Sequence, residues 1–118
     1  MKGTFPVETF RTLETPFYYY DIDILRKTLE TVKTEAEKYN FHVHYATKAN
    51  TNPRILSIVQ EYGLGADCVS GGEIQASLNA GFSVDKIVFA GVGKADWEIN
   101  LGLDNDIFCF NEIGRAHV

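Results

Sequence analysis

Two apolar runs decide the fold class: Lys86-Ile-Val-Phe-Ala90 and Ile107-Phe-Cys-Phe110. Neither run shows the apolar–polar alternation of a half-exposed strand, and continuously apolar strands are typical of a parallel sheet that helices cover. Two further strands are predicted upstream, over 42–48 and 66–69, so that strands begin about every 21 residues. Because one helix fits into each gap, the chain is predicted to consist of repeating βα units.

Helix start signals support these units. Asn52 and Pro53 follow the first strand: the asparagine side chain is a good N-cap, and proline suits the first turn, where no donor is needed. Ser70 and Glu73 have the spacing of a capping box, and we expect Glu73 to act in that box at the start of the next helix. A third helix is predicted over about 95–103.

Upstream of these units, residues 16–21 read Pro-Phe-Tyr-Tyr-Tyr-Asp, and an aromatic run behind a proline predicts a strand. From Ile22 to about Tyr39, apolar residues recur at three- and four-residue steps, which predicts a helix. Asp21 or Asp23 can cap that helix at its start.

Two architectures contain repeating βα units: an open doubly wound sheet and the (β/α)₈ barrel. The periodicity does not choose between them. A complete barrel takes about 250 residues. If the fold is a barrel, these 118 residues hold fewer than half of its eight units.

The composition excludes several classes of protein. With 45% hydrophobic and 23% charged residues the chain is globular rather than disordered. A net charge of −5 argues against nucleic acid or an anionic membrane surface as a partner. No apolar stretch approaches the roughly 20 residues of a membrane span, and the N-terminus does not resemble a signal peptide. Two cysteines in strand-like runs, Cys68 and Cys109, indicate reduced thiols and a cytoplasmic protein.

The segment Tyr45-Ala-Thr-Lys-Ala-Asn50 is the most informative about function. Lys48 is predicted at the carboxyl end of a strand, on the same face as His44 and Ala46, and that end carries the chemistry in parallel α/β folds. Two interpretations stay open here. Lys48 is either a solvated lysine at a strand end, or an amine in a pocket that forms an imine with a carbonyl compound.

Asp67 interrupts an apolar strand next to the lysine-bearing strand. Its carboxylate could orient the lysine amine or hydrogen-bond a cofactor; the alternative is a group that solvates the strand edge. Gly71 and Gly72 follow, and their lack of side chains predicts close approach of another group to the helix start. No metal site is predicted, because His42 and His44 have no further ligand near them in sequence.

In this order, the segments resemble the fold-type III pyridoxal-phosphate-dependent decarboxylases. The matching segments are 15–21, 45–50, 65–74, 86–94 and 107–111. The resemblance implies that Lys48 forms the imine with pyridoxal 5′-phosphate and that Asp67 is a cofactor-binding carboxylate near it. It also implies a PLP-binding (β/α)₈ TIM barrel, of which this chain supplies the first three βα units and the fourth strand. A β-sandwich domain would receive the strand at Phe17–Tyr20.

Within the family, Val69-Ser-Gly-Gly-Glu73 and the opening 15–21 segment favour the branch that acts on diaminopimelate. This implies loss of the carboxylate at the D-centre of meso-2,6-diaminopimelate, which gives L-lysine, and a homodimer in the full-length protein. The alternatives are an ornithine or arginine decarboxylase, an alanine racemase, a non-catalytic pyridoxal-phosphate-binding barrel, and a small doubly wound binding module. The family's other cofactor and substrate residues lie beyond position 118, so this chain alone is predicted to be inactive.

The resemblance divides the chain into three parts: 1–21 from the β-sandwich domain, 22–111 from a partial alanine-racemase-like barrel, and 112–118 as a tail. The tail reads Glu-Ile-Gly-Arg-Ala-His-Val, and its back-translation matches the start of a commonly used sequencing adapter. We therefore expect 112–118 not to be native. Resequencing the source locus tests this expectation.

Overall fold

The structure is a computed structural model that describes residues 3–110. Its helices are α1 (Val7–Phe10), α2 (Ile22–Lys38), α3 (Pro53–Glu61), α4 (Gly71–Asn79) and α5 (Asp96–Asp104). Its strands are β1 (His44–Ala46), β2 (Gly65–Cys68), β3 (Ile87–Phe89) and β4 (Cys109–Phe110). Two short 3₁₀ helices, Thr47–Ala49 and Val84–Lys86, adjoin β1 and β3.

The four strands form one parallel sheet in the order β1-β2-β3-β4. A helix follows each of the first three strands, so the predicted repeating βα units are confirmed. A doubly wound sheet reverses its strand order at a switch point, whereas the strands of a (β/α)₈ barrel follow one another in sequence. The unbroken order therefore favours the barrel, between the two architectures that the periodicity left open.

The two faces of the sheet differ in their cover. Ala66, Cys68, Ile87 and Phe89 are all at most 1% exposed and pack in the core with apolar side chains of the helices. Since side chains alternate along a strand, the residues between them face the other way. Asp67 is among these, and it remains partly exposed. The helices thus cover one face, and the polar side chain Asp67 lies on the other.

The helix start signals behave as predicted. The Asn52 side chain accepts a hydrogen bond from the Arg54 N–H at 3.0 Å, and Pro53 is the first residue of α3. Ser70 Oγ accepts from the Glu73 N–H at 3.3 Å at the start of α4. Asp21 rather than Asp23 caps α2: its side chain accepts from the Ile24 N–H at 3.0 Å. These caps are local, which is why the sequence reveals them.

The strand predicted over 16–21 is not formed within the described residues. A strand needs a hydrogen-bonding neighbour, and residues 3–110 provide none for this run. Instead, the Tyr19 hydroxyl donates to the Thr4 carbonyl at 2.8 Å, and the Phe10 ring contacts those of Phe17 and Tyr19 at centroid distances of 5.3 and 4.9 Å. The assignment of 1–21 to a sandwich domain stays a prediction.

Asn111 and the predicted tail at 112–118 lie outside the described residues. Between residues 3 and 110, no helix is both long and apolar enough to cross a membrane.

Candidate functional site

Lys48 lies at the carboxyl end of β1, as predicted, but not on the strand itself. The strand ends at Ala46, and Lys48 is the middle residue of the 3₁₀ helix Thr47–Ala49. The predicted strand through Lys48 is therefore wrong at its end, and strand alternation does not determine which face Lys48 shares, because alternation stops where the backbone begins to turn. The Lys48 side chain is exposed, and its ammonium forms no hydrogen bond or ion pair with any residue of the described range.

The turn that carries Lys48 is held at both ends. Thr47 is fully buried, and its hydroxyl lies 2.7 Å from Glu73 Oε2 and 3.0 Å from the Asp67 carbonyl oxygen. Both of these oxygens are acceptors, so the Thr47 hydroxyl is the donor. At the other end, the Tyr45 hydroxyl donates to the Asn50 carbonyl at 3.3 Å. The backbone of Lys48 is thus fixed while its side chain is left uncommitted.

Glu73 does not act in the predicted capping box. Its carboxylate oxygen Oε2 accepts from the Val69 N–H at 2.8 Å, one residue before the helix cap, and from the Thr47 hydroxyl. Only the Ser70 half of the box is formed. The physical reason is that a buried hydroxyl from the neighbouring strand end competes for the carboxylate and draws it away from the Ser70 N–H. Spacing within one segment contains no information about that hydroxyl.

Asp67 occupies the third position of β2 and pairs in register with Ala46 on one side and Val88 on the other. Its Oδ1 atom is buried and has no hydrogen-bond partner among the described residues. A buried carboxylate oxygen without a donor is costly, and such atoms usually have a donor in the functional protein. The alternative that Asp67 solvates a strand edge does not fit, since β2 is a central strand. The donor set that suits Asp67 is an amine, hydroxyl or ring N–H of a bound molecule.

A second lysine at the same edge of the sheet makes a useful contrast with Lys48. Lys94 is 3% exposed, donates to the Gly91 carbonyl, and holds its ammonium 5.0 Å from the centre of the Phe89 ring. Its amine is therefore engaged by the protein. Of these two amines, that of Lys48 is the one available to a ligand.

Glu98, which the sequence reasoning did not single out, joins the starts of two helices. Its carboxylate accepts from the Gly71 N–H at 2.7 Å, at the start of α4, and from the Ala95 N–H at 2.9 Å, at the start of α5. These two hydrogen bonds, the Gly71 bond first, lower the pKa of Glu98. Gly71 allows this approach, because a Cβ there would lie 2.5 Å from the Trp97 ring. The predicted close approach is confirmed for Gly71 and not for Gly72, whose Cβ would meet only Ser70 Oγ at 3.9 Å.

Other candidate sites lie elsewhere or are not formed. A cavity of about 660 Å³ opens at the amino end of the sheet, where its lining includes His44, Gly65 and Lys86, and it contains neither Lys48 nor Asp67. Within 3–110, no group of three or more His, Cys, Asp or Glu side chains is placed to hold a metal ion. The carboxyl edge of the sheet therefore remains the candidate functional site.

The comparisons with known proteins agree on one family. A family model described as the pyridoxal binding domain of pyridoxal-dependent decarboxylases matches residues 23–113. Diaminopimelate decarboxylase of Bacteroides thetaiotaomicron is 65% identical over 112 residues, which are 94% of this chain and 29% of that protein. Diaminopimelate decarboxylase of Helicobacter pylori strain J99 is 45% identical over 104 residues, or 88% of this chain and 26% of that protein.

Solved structures give the same result. The H. pylori diaminopimelate decarboxylase complexed with L-lysine matches with a TM-score of 0.77 and 43% identity, over 92% of this chain and 27% of that one. The M. jannaschii diaminopimelate decarboxylase matches with a TM-score of 0.81 and 33% identity, over 90% and 26%. The predicted fold class, part of a TIM barrel, is thereby confirmed. The chain spans less than a third of the length of these relatives.

A family model covers most of the chain, and solved relatives match about nine-tenths of its length. This chain belongs to the pyridoxal-binding-domain family of the pyridoxal-dependent decarboxylases.

Proposed function

We propose that this chain is the lysine-bearing part of a pyridoxal-phosphate-dependent decarboxylase that converts meso-2,6-diaminopimelate into L-lysine. The observation that carries the proposal is the pairing of two groups at one edge of the sheet. Lys48 has an uncommitted amine on a fixed turn, and Asp67, on the adjacent strand, has a buried carboxylate oxygen without a donor. The family membership supports pyridoxal phosphate as the cofactor.

The residues present fit that cofactor. Lys48 would hold it through its ε-amine, which must be neutral to attack an aldehyde carbon and which loses both its protons in forming the C=N bond. Asp67 would hold it through Oδ1, which can accept a hydrogen bond from an N–H or O–H group and so complete the hydrogen bonding of that buried oxygen. When bound, pyridoxal phosphate supplies the electron sink for the carbanion that remains as carbon dioxide leaves.

The choice of diaminopimelate as substrate rests on the relatives. Those with 45% and 65% identity are named diaminopimelate decarboxylases, and one solved relative is complexed with L-lysine. The two site residues proposed within 3–110, Lys48 and Asp67, would contact the cofactor and do not select the substrate. We therefore expect the complete activity to need the further length that the relatives possess, and the 118-residue chain alone to be inactive.

Two further parts of the proposal concern assembly and location. We propose a homodimer for the full-length protein and a cytoplasmic location. Cys68 and Cys109 are both free cysteines. Burial raises the pKa of the Cys68 thiol, which disfavours the reactive thiolate, so we interpret Cys68 as a core residue and not as a redox group. Free cysteines are usual in a reducing compartment.

A chimera tests the proposed function. Residues 3–110 of this chain replace the aligned segment of the B. thetaiotaomicron relative, and release of carbon dioxide and L-lysine from meso-diaminopimelate is measured. We expect the chimera to be active, and its activity to be lost in Lys48→Ala. Lys33→Ala is the matched control, since Lys33 is an exposed lysine on α2, and it should leave the activity unchanged. An active Lys48→Ala chimera, or a wild-type chimera that is inactive on diaminopimelate, would overturn the proposal.

A further inference from the structure

We infer that Thr47 and Glu73 are positioning residues for Lys48: their hydrogen bond fixes the turn that carries the lysine and thereby sets how readily its amine condenses with an aldehyde. The inference rests on the proposed role of Lys48 and adds to it two residues that do not touch the reacting atoms. The Lys48 ammonium has no hydrogen bond or ion pair within residues 3–110 that would orient it, so its placement depends on the backbone.

The Thr47 hydroxyl is the contact that fixes this backbone. Thr47 is the residue before Lys48, is 0% exposed, and donates at 2.7 Å to Glu73 Oε2, with the Asp67 carbonyl oxygen at 3.0 Å as a second acceptor. Through these contacts the lysine-bearing turn is joined to β2 and to α4. Asp67, the other residue proposed to contact the cofactor, belongs to the same network through its main chain.

Glu73 is itself held firmly. Its Oε2 also accepts from the Val69 N–H at 2.8 Å, and its own N–H donates to Ser70 Oγ at 3.3 Å, so both its side chain and its backbone are tied to the end of β2. It lies in the first turn of α4, and helix N-termini attract negative charge. A carboxylate fixed in this way is a rigid anchor for a neighbouring hydroxyl.

The position of the Lys48 amine affects the rate at which it condenses with an aldehyde. The neutral ε-amine adds to the aldehyde carbon, water leaves, and a C=N bond forms, with no oxidant or reductant involved. Residues elsewhere in the full-length protein would hold the rest of the cofactor, so an amine on a loosened turn would reach the aldehyde carbon in fewer of its conformations. Displacement of a reacting group by about 1 Å can lower a rate about 100-fold.

Three substitutions separate positioning from plain packing. Thr47→Val keeps the shape and removes the donor, whereas Thr47→Ser keeps the donor and removes a methyl group. Glu73→Gln keeps an acceptor oxygen and removes the charge. The matched control is Ser77→Ala on α4, which removes another buried hydroxyl, one that contacts Cys68 Sγ at 3.3 Å and reaches Thr47 only through that thiol. If the role were structural only, Ser77→Ala and Thr47→Val would have similar effects.

The chimera described above is used for wild type and for every variant, since the resemblance places the family's other cofactor residues beyond position 118. Each protein is mixed with pyridoxal phosphate, the imine absorbance is followed over time and across pH, and the adduct is reduced with borohydride. Peptide mass spectrometry then gives the fraction of label on Lys48 relative to Lys33. Unfolding by urea is measured in parallel, so that adduct formation is compared at matched folded fractions.

We expect Thr47→Val to lower the rate of adduct formation at Lys48 about tenfold or more, as for a reacting group that is no longer held in place, and to spread label onto other lysines. Thr47→Ser should restore both readouts to within about twofold of wild type, a difference below 1 kcal/mol. Glu73→Gln should fall between these, and Ser77→Ala should match wild type. A Lys48 adduct in wild type that Thr47→Val and Glu73→Gln leave unaltered would overturn the positioning role alone. Absence of a Lys48-specific adduct in wild type would overturn the proposed function and the positioning role together.

Discussion

Asp67 on β2 lies directly beside Ala46 on β1, and Ala46 is two residues before Lys48 in the chain. Because the alanine side chain is a single methyl group, it occupies little of the volume next to the Asp67 carboxylate. This relationship joins the lysine-bearing turn to a carboxylate from another strand. The buried Oδ1 atom of Asp67, which has no donor within the described residues, can be tested by substitution.

Replacing Asp67 by Asn should separate stability from cofactor binding. A buried carboxylate without a donor is more costly than a neutral amide, so we expect Asp67→Asn to leave the unliganded chain as stable as wild type or to stabilise it by about 1 kcal/mol. Retention of pyridoxal phosphate should weaken, because the acceptor charge is lost. Urea unfolding without cofactor and imine absorbance with it provide the two measurements. Marked destabilisation without cofactor would mean that Asp67 has a structural partner.

Two glycines on β2 and α4 should respond in opposite ways to alanine. A Cβ on Gly65 would lie 2.3 Å from the His44 ring and 2.5 Å from the Lys86 carbonyl oxygen, and the latter is backbone that cannot swing aside. We expect Gly65→Ala to destabilise the chain by about 3 kcal/mol, at the upper end for overpacking.

Gly72→Ala is the matched control in the same sheet-and-helix unit. Its Cβ would meet only Ser70 Oγ at 3.9 Å, and alanine is the better helix former, so we expect a gain of up to about 1 kcal/mol. Urea unfolding of both variants checks the pair. Equal effects of the two substitutions would contradict the close packing at Gly65.

Glu98 should make stability depend on pH. Its pKa is lowered by the Gly71 and Ala95 N–H groups, so the folded chain binds this proton less readily than the unfolded chain. The contribution is therefore complete above about pH 4.3, the ordinary value for glutamate, and is lost as the pH falls through the lower folded value. We expect wild type to be more stable than Glu98→Gln near neutral pH, and the difference to shrink below about pH 4. Urea midpoints across this range measure it, and a difference that does not change with pH would contradict the assignment.

Strand β4 ends the order β1-β2-β3-β4 and has an unpaired edge within the described residues, next to the Phe108 side chain, which is 78% exposed. Unpaired edges with apolar side chains promote association between chains. We expect the 118-residue chain to associate in a concentration-dependent manner and Phe108→Lys to reduce this. Tyr18→Lys is the control, since Tyr18 is 90% exposed and lies outside the sheet. Sedimentation velocity distinguishes the variants; equal association of both would locate the contact elsewhere.

The predictable parts of the fold depend on neighbours in sequence. The Asn52 cap, the first-turn proline and the Ser70 cap all act within a few residues, and the structure confirms all three. The parallel sheet is predictable for the same reason, since the apolar composition of a strand is local information. The position of Lys48 at the end of β1 followed from these elements.

The missed parts depend on partners far away in the chain. Glu73 has capping-box spacing, yet its carboxylate is taken by Thr47, 26 residues earlier. The sequence predicts a strand that continues to Lys48, whereas β1 ends at Ala46, because the hydrogen bond from Thr47 to Glu73 stabilises the 3₁₀ turn. The run 17–20 has strand composition but has no partner within residues 3–110. Local patterns predict what a segment prefers, and long-range hydrogen bonds decide where it stops.

Two carboxylates, those of Glu73 and Glu98, determine the order in which the carboxyl edge of the sheet is completed. The Thr47 hydroxyl donates to Glu73, 26 residues later in the chain, and the Gly71 N–H donates to Glu98, 27 residues later. On the ribosome, each turn at the carboxyl edge therefore stays incomplete until the next helix has been synthesised. The lysine-bearing turn becomes fixed when α4 emerges, and the start of α4 becomes fixed when α5 does, so this edge of the sheet is completed one unit behind translation.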